Sequence, residues 1–276
     1  MSAPPAAPTG RTALTAAATL RAEPAAGRPR LRWSQAWPVV IRATGADRVH
    51  LVHGAGGPLG GDDFSLDVEV LAGASLRVRS AAATLVQPGA AGGPARWGVA
   101  ADVGAGGFLD WAPEATVVCD GATMRSRLRV RLDATAGAVL RELVVLGRHG
   151  ERGGRHRGEL LVDVAGEPLI AHTTELDGAD EVLRGPGGTA GARAVGTLLV
   201  AGTAHTAPHT GTHMATHAVA DAAAPAAERG GEAPGVRWAW TELAGPGRLL
   251  VAVGEPGAVG AQLDRQASAP ARAQRS

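Results

Sequence analysis

Apolar and polar side chains alternate residue by residue along much of this chain, and that period of two commits the backbone to strands. Phe64, Leu66, Val68 and Val70 alternate with Asp63, Ser65, Asp67 and Glu69, as in a strand with one buried face. Leu76 and Val78 alternate with Arg77 and Arg79. Met124, Leu128, Val130 and Leu132 alternate with Arg125, Arg127, Arg129 and Arg131, giving an apolar edge and a row of guanidiniums. Leu160, Val162 and Val164 alternate with Leu161 and Asp163. Val139 to Leu146 and Val195 to Val200 are apolar almost throughout, the mark of strands buried on both faces. Val236 to Trp240 and Leu249 to Val253 read as two further strands, and Val259 to Gln266 is the best short helical stretch.

Glycine turns separate these runs with a rhythm. Leu71-Ala72-Gly73-Ala74, Val103-Gly104-Ala105, Thr135-Ala136-Gly137-Ala138 and Val164-Ala165-Gly166-Glu167 fall about thirty residues apart, a spacing that suits a solenoid or a stack of hairpins. The same glycines suit hairpin turns in an ordinary sandwich. The stacked all-β reading is favoured. Residues 1–11 read as a Pro/Ala-rich tail, 12–266 as one β domain with an irregular Ala- and His-rich insertion over 204–235, and 267–276 as a flexible tail.

Composition excludes several functions. Net charge is +1, too little for a broad basic face that would grip nucleic acid or an acidic membrane. Aromatic residues make up 3%, so Val, Leu and Ala must fill the core. The single Cys119 rules out an internal disulfide and a multi-cysteine zinc site; within Thr116-Val117-Val118-Cys119 it reads as a small buried hydrophobe. No stretch approaches the roughly 18 apolar residues of a membrane span. Ala13 to Leu20 is too polar for a signal-peptide core, so a cytoplasmic protein is expected.

Four features could carry chemistry. Gly56-Gly57-Pro58-Leu59-Gly60-Gly61-Asp62 looks like a phosphate cradle, but a strand pattern follows where a helix N-terminus is needed, and the chain has no lysine. A glycine turn between strands is the plainer reading. His205, His209, His213 and His217 recur every fourth residue; on a helix they would form a metal-binding stripe, but Pro208 and Gly211 interrupt it. As a loop the segment would bind nickel or zinc weakly, or simply be solvated. The Arg row reads as a solvated sheet face, with docking of an acidic partner as the other use. Among the acidic residues Asp62, Glu114, Glu142 and Glu151, Glu142 is the oddest, because it interrupts an apolar run. A carboxylate there must face water or find a partner. Paired carboxylates such as Asp62 and Glu114 would suit a β-helix hydrolase acting on carbohydrate; a Gly-x-Ser-x-Gly nucleophile elbow is absent.

Several segments, in order, resemble the urease accessory protein UreD family (UreH in some organisms). Gly56 to Asp62 resembles the family's Gly-Gly-x-x-Gly-Gly-Asp, and Ser80-Ala81-Ala82-Ala83-Thr84 its Thr-Gln-Ala-Ser/Thr segment. Asp110-Trp111-Ala112-Pro113-Glu114-Ala115-Thr116-Val117 is similar to Glu-Trp-Leu-Pro-Glu-x-Thr-Ile. Glu142 to Glu151 resembles the block ending Leu-Gly-Arg-x-x-x-Gly-Glu, with one residue fewer, and Val195 to Leu199 a later strand. The resemblance implies a β-helix-like stack of short strands with few short helices and no catalysis by this chain. It implies a scaffold joining apo-urease to UreF and the GTPase UreG, with no cofactor bound stoichiometrically and Ni²⁺ held only transiently in a water-filled passage. Such a passage needs polar but weakly binding groups, since a tight site would trap the ion. Carried over by position, Asp62, Thr84 and Glu142 fall along that passage, and His172 stands where some relatives have an acidic residue. The family's Gln after the glycine loop and its Lys-x-Tyr-Arg run are missing here, the latter replaced by Leu85-Val86-Gln87-Pro88. Beside the scaffold stand two other readings, the carbohydrate hydrolase and a non-catalytic interaction module whose His segment binds metal incidentally.

Overall fold

The computed structural model describes residues 12–26, 29–202 and 229–268. The chain opens with β1 (Thr15–Glu23), β2 (Arg30–Ser34), β3 (Val39–Ala43) and β4 (Arg48–His53). Three coils follow: β5 (Asp63–Val70), β6 (Ser75–Ser80) and β7 (Thr84–Val86); β8 (Ala95–Val103), β9 (Phe108–Trp111) and β10 (Thr116–Val118); then β11 (Thr123–Leu132) and the long β12 (Gly137–Leu146). A hairpin of β13 (Arg155–Val164) and β14 (Glu167–Asp177) comes next, then a single turn, α1 (Glu181–Arg184). The rest is β15 (Ala194–Gly202), β16 (Gly230–Ala233), β17 (Val236–Glu242), β18 (Gly247–Gly254) and α2 (Pro256–Ser268).

Each coil lays one strand on each of two facing sheets. The first sheet runs β14-β13-β11-β8-β5-β1-β2 and the second β16-β17-β18-β15-β12-β9-β6-β4-β3. The coil strands stack parallel, β5 on β8 on β11 in the first sheet and β6 on β9 on β12 in the second. This is the β-helix-like stack, since a sandwich of hairpins would pair its sequential strands antiparallel. The alternation read from the sequence becomes a ladder of apolar rungs: Leu66, Val99, Leu128 and Leu160 lie side by side, as do Val70, Val103, Leu132 and Val164. They face Leu76, Leu109 and Leu140 of the second sheet in one core cluster.

The four glycine turns are not equivalent. The first three swing the chain from the first sheet to the second. The fourth, Ala165-Gly166, closes a two-residue hairpin between β13 and β14. Both its residues have positive φ, 53° and 86°, as a tight turn matched to strand twist requires. After it the stack ends and antiparallel strands take over. β16 falls inside the segment 204–235 expected to be irregular, where it pairs with β17. α2 covers the expected helical stretch and lays Val259 and Leu263 over Gly196 of β15, where an added Cβ would stand 2.7 Å from Leu263 Cδ1. No helix among the described residues is long and apolar enough to cross a membrane.

Candidate functional site

The apolar ladder is interrupted at one level. β9 pairs with Gly137 to Leu140 of β12, and β10 with Val144 to Leu146. Between β9 and β10 the chain leaves strand geometry over residues 112–115, around Pro113, which has no N–H to give a ladder. The coil before it breaks over 81–83 as well. Ser80 stitches the two breaks, its Oγ donating to Ala82 O at 2.9 Å and accepting from Glu114 N at 2.8 Å. β12 runs straight past, so Arg141, Glu142 and Leu143 face a gap. Arg141 and Leu143 turn to the α2 side, where Arg141 meets Asp264 at 3.2 Å. Glu142 turns inward.

A cavity of about 80 Å³ opens there, room for several waters at roughly 10–15 Å³ each. Phe64, Trp97 and Trp111 wall it, and Thr84, Thr116, Ser126, Glu142 and Thr197 give it polar groups. It shares Ser126, Arg127 and Glu159 with a groove of about 610 Å³ on the outer face of the first sheet. Leu51 and His53 connect it to a depression of about 170 Å³ beside Gly56, Gly57 and Leu85. The cavity thus shares its lining with two surface depressions.

Glu142 is held from one side. Ser126 Oγ donates to its Oε1 at 3.1 Å and lies 3.1 Å from His156 Nε2. The Glu142 side chain is 36% exposed and that of His156 wholly buried, with His156 Nε2 4.0 Å from Oε1. Burial lowers the His156 pKa, with the Glu142 charge opposing in part, so the contact is polar rather than ionic. Burial also lowers the pKa of His53, whose ring meets Trp97 edge-on at 5.7 Å.

Of the residues singled out in the sequence, Thr84 and Glu142 come together in the cavity lining. Asp62 sits apart from it. It is 1% exposed, and its two oxygens accept the amides of Leu14 at 2.8 Å and Leu59 at 2.9 Å, pinning the glycine loop to the start of β1. His172 lies on β14 opposite the cavity residue Leu160, bonded to Thr174 Oγ1 at 3.1 Å, and is outside the lining. Gly60 and Gly61 serve the loop itself: Gly60 N donates to Gln87 O at 2.9 Å, and a Cβ on Gly60 would stand 2.9 Å from Gly89 N. A strand follows, with no helix N-terminus for a phosphate. His205, His209, His213 and His217 lie outside the described residues. Glu114 reaches the cavity without Asp62, so that proposed carboxylate pair is not assembled. Glu151 bonds to Arg148 in its own loop. The Arg row is exposed, and three of its members pair across strands: Arg127 with Glu159 at 2.6 Å, Arg129 with Asp163 at 3.3 Å, and Arg131 with Asp102.

Sequence reasoning passed over Ser126, His156, Gly158 and His53. The signal was present for the first three: each occupies an inward position in an otherwise apolar alternation. Among the described residues no three His, Cys, Asp or Glu side chains gather as a metal cluster.

Residues 14–269 match the family model described as UreD urease accessory protein. The chain is similar to urease accessory protein UreD of Frankia alni, 42% identical over 71% of this chain and 79% of the relative. It is also similar to urease accessory protein UreD of Frankia casuarinae, 38% identical over 91% of this chain and 87% of the relative.

Proposed function

The chain belongs to the UreD family of urease accessory proteins, maturation factors rather than catalysts, and from that membership we propose that it is a scaffold for nickel insertion. In this reading it works in the cytoplasm, joins UreF and the GTPase UreG to apo-urease, and passes Ni²⁺ through its own interior. Nickel is cargo here, held only in transit.

One observation carries the proposal: Glu142 and Thr84 line a cavity within the inter-sheet core, and that cavity shares lining residues with a groove on one side and a depression on the other. Hydroxyls and the carboxylates of Glu114, Glu142 and Glu159 in the lining give a divalent cation successive weak contacts. Several thiolates or imidazoles converging at one point would hold it. Conduction needs binding strong enough to admit the ion and weak enough to release it.

Urease activation tests this in a host supplying apo-urease, UreF, UreG and nickel, with the chain present, absent or carrying Glu142→Ala. Activity should depend on the chain and fall in the variant while the complex still assembles. Dependence without a fall would keep the scaffold and remove Glu142 from the path. An assembled chain that makes no difference to activation would overturn the proposal.

A further inference from the structure

Ser126 has one hydroxyl hydrogen and two polar neighbours at 3.1 Å, Glu142 Oε1 and His156 Nε2. A carboxylate only accepts, so that hydrogen belongs to Glu142. His156 must then supply the other bond from Nε2–H, with Oγ accepting. A ring that donates from Nε2 needs no hydrogen on Nδ1. Nδ1 is indeed buried with no hydrogen-bond partner, a position that a ring N–H would occupy at greater cost than a lone pair in apolar surroundings.

The fold leaves room for this arrangement at one residue. Gly158 of β13 pairs with Ser126 and lies two residues from His156. A Cβ there would stand 2.7 Å from His156 Cε1, 3.1 Å from Ser126 Oγ and 3.3 Å from Glu142 Oε2. Its φ is not positive, so the glycine is there for space.

We infer that His156 and Ser126 are positioning residues for Glu142: a two-step donor chain that occupies Oε1 and leaves Oε2 as the oxygen offered to a divalent cation. A carboxylate with two free oxygens can close on a cation from both. With Oε1 engaged, Glu142 makes a one-oxygen contact that water readily replaces, as a passage requires. The imidazole orients the carboxylate through the Ser126 hydroxyl. The cation's part rests on the passage reading above; the donor chain does not.

Two measurements separate them. In the full chain labelled with ¹⁵N-histidine, proton–nitrogen correlation spectra at neutral pH should show His156 as the Nε2–H tautomer, and Ser126→Ala should shift its ring signals. In the reconstituted activation assay, Ser126→Ala should slow activation roughly tenfold, the scale of losing a partner of a metal-bound group. Ser126→Thr should restore the rate, and Ser126→Ala should add nothing in a Glu142→Gln background. Circular dichroism and complex assembly check that each variant is folded. An Nδ1–H or doubly protonated His156 would overturn the donor chain, even if Glu142→Gln still slows activation and the passage stands. A further multiplicative loss in the Glu142→Gln background would overturn it too, because the serine would then act elsewhere. If Glu142→Gln has no effect while the tautomer is as expected, the cation role fails and the inference with it.

Discussion

Leu140 and Glu142 stand two residues apart on β12 and point into the same space between the sheets, under opposite conditions. Leu140 lines the near edge of the same cavity, but it still pairs with Trp111, the last residue of β9, and is 2% exposed within the apolar ladder. Glu142 faces the break around Pro113, beside a cavity shared by Thr84, Thr116 and Ser126. The difference comes from the neighbouring coils. Where they keep pairing, side chains interdigitate and water is shut out. Where they leave strand geometry together, backbone groups and a hydroxyl replace the ladder, and a carboxylate can stay hydrated inside the protein.

Leu140→Ala should have the largest effect on stability, a loss of about 2–5 kcal/mol in chemical denaturation. A much smaller loss would mean that the paired end is loosely packed, and the contrast would dissolve. Gly158→Ala comes next. It pushes a methyl against His156, Ser126 and Glu142, and overpacking of this kind costs about 1–3 kcal/mol, readable as a lower Tm. Glu142→Leu sharpens the comparison from the other side. Removing the carboxylate from a partly apolar cavity should leave stability within about 1 kcal/mol while urease activation falls, so Tm and activity would part company. The smallest effect belongs to an exposed pair away from both regions. Arg148 bonds to the Glu151 carboxyl and holds its pKa down at about 2, below its unfolded value. The stability from this group is therefore present above the unfolded pKa, roughly 4.3, and lost as pH falls through the folded one. Glu151→Gln should slightly lower stability at neutral pH and flatten that part of the acid unfolding curve. A large flattening would show that surface pairs matter more than the interior contrast allows.

The strands were legible because their period is local. Asp63 to Val70 and Arg125 to Leu132 could bury only one face each, whatever surrounded them. The turns were half legible. Glycine marked all four, but whether a turn crosses between sheets or closes a hairpin depended on the backbone at Ala165 and Gly166 and on the partner strand. Glu142 stood out as a charge in an apolar run, and Thr84 came with the resemblance. Asp62 looked like a member of the same set and instead ties down the glycine loop with both its oxygens. A carboxylate beside glycines reads the same in sequence whether it faces an amide or a cation.

From the sequence alone came the β period, the spacing of the coils and the family, since each is written in residue order and residue type over short windows. The tertiary structure decided which inward positions share one level. Ser126, Glu142 and His156 come from three strands and lie up to thirty residues apart. They meet because Ser126 and His156 lie on neighbouring parallel strands of the first sheet while Glu142 faces them from the second, and because Gly158, the register partner of Ser126, leaves the space between them empty.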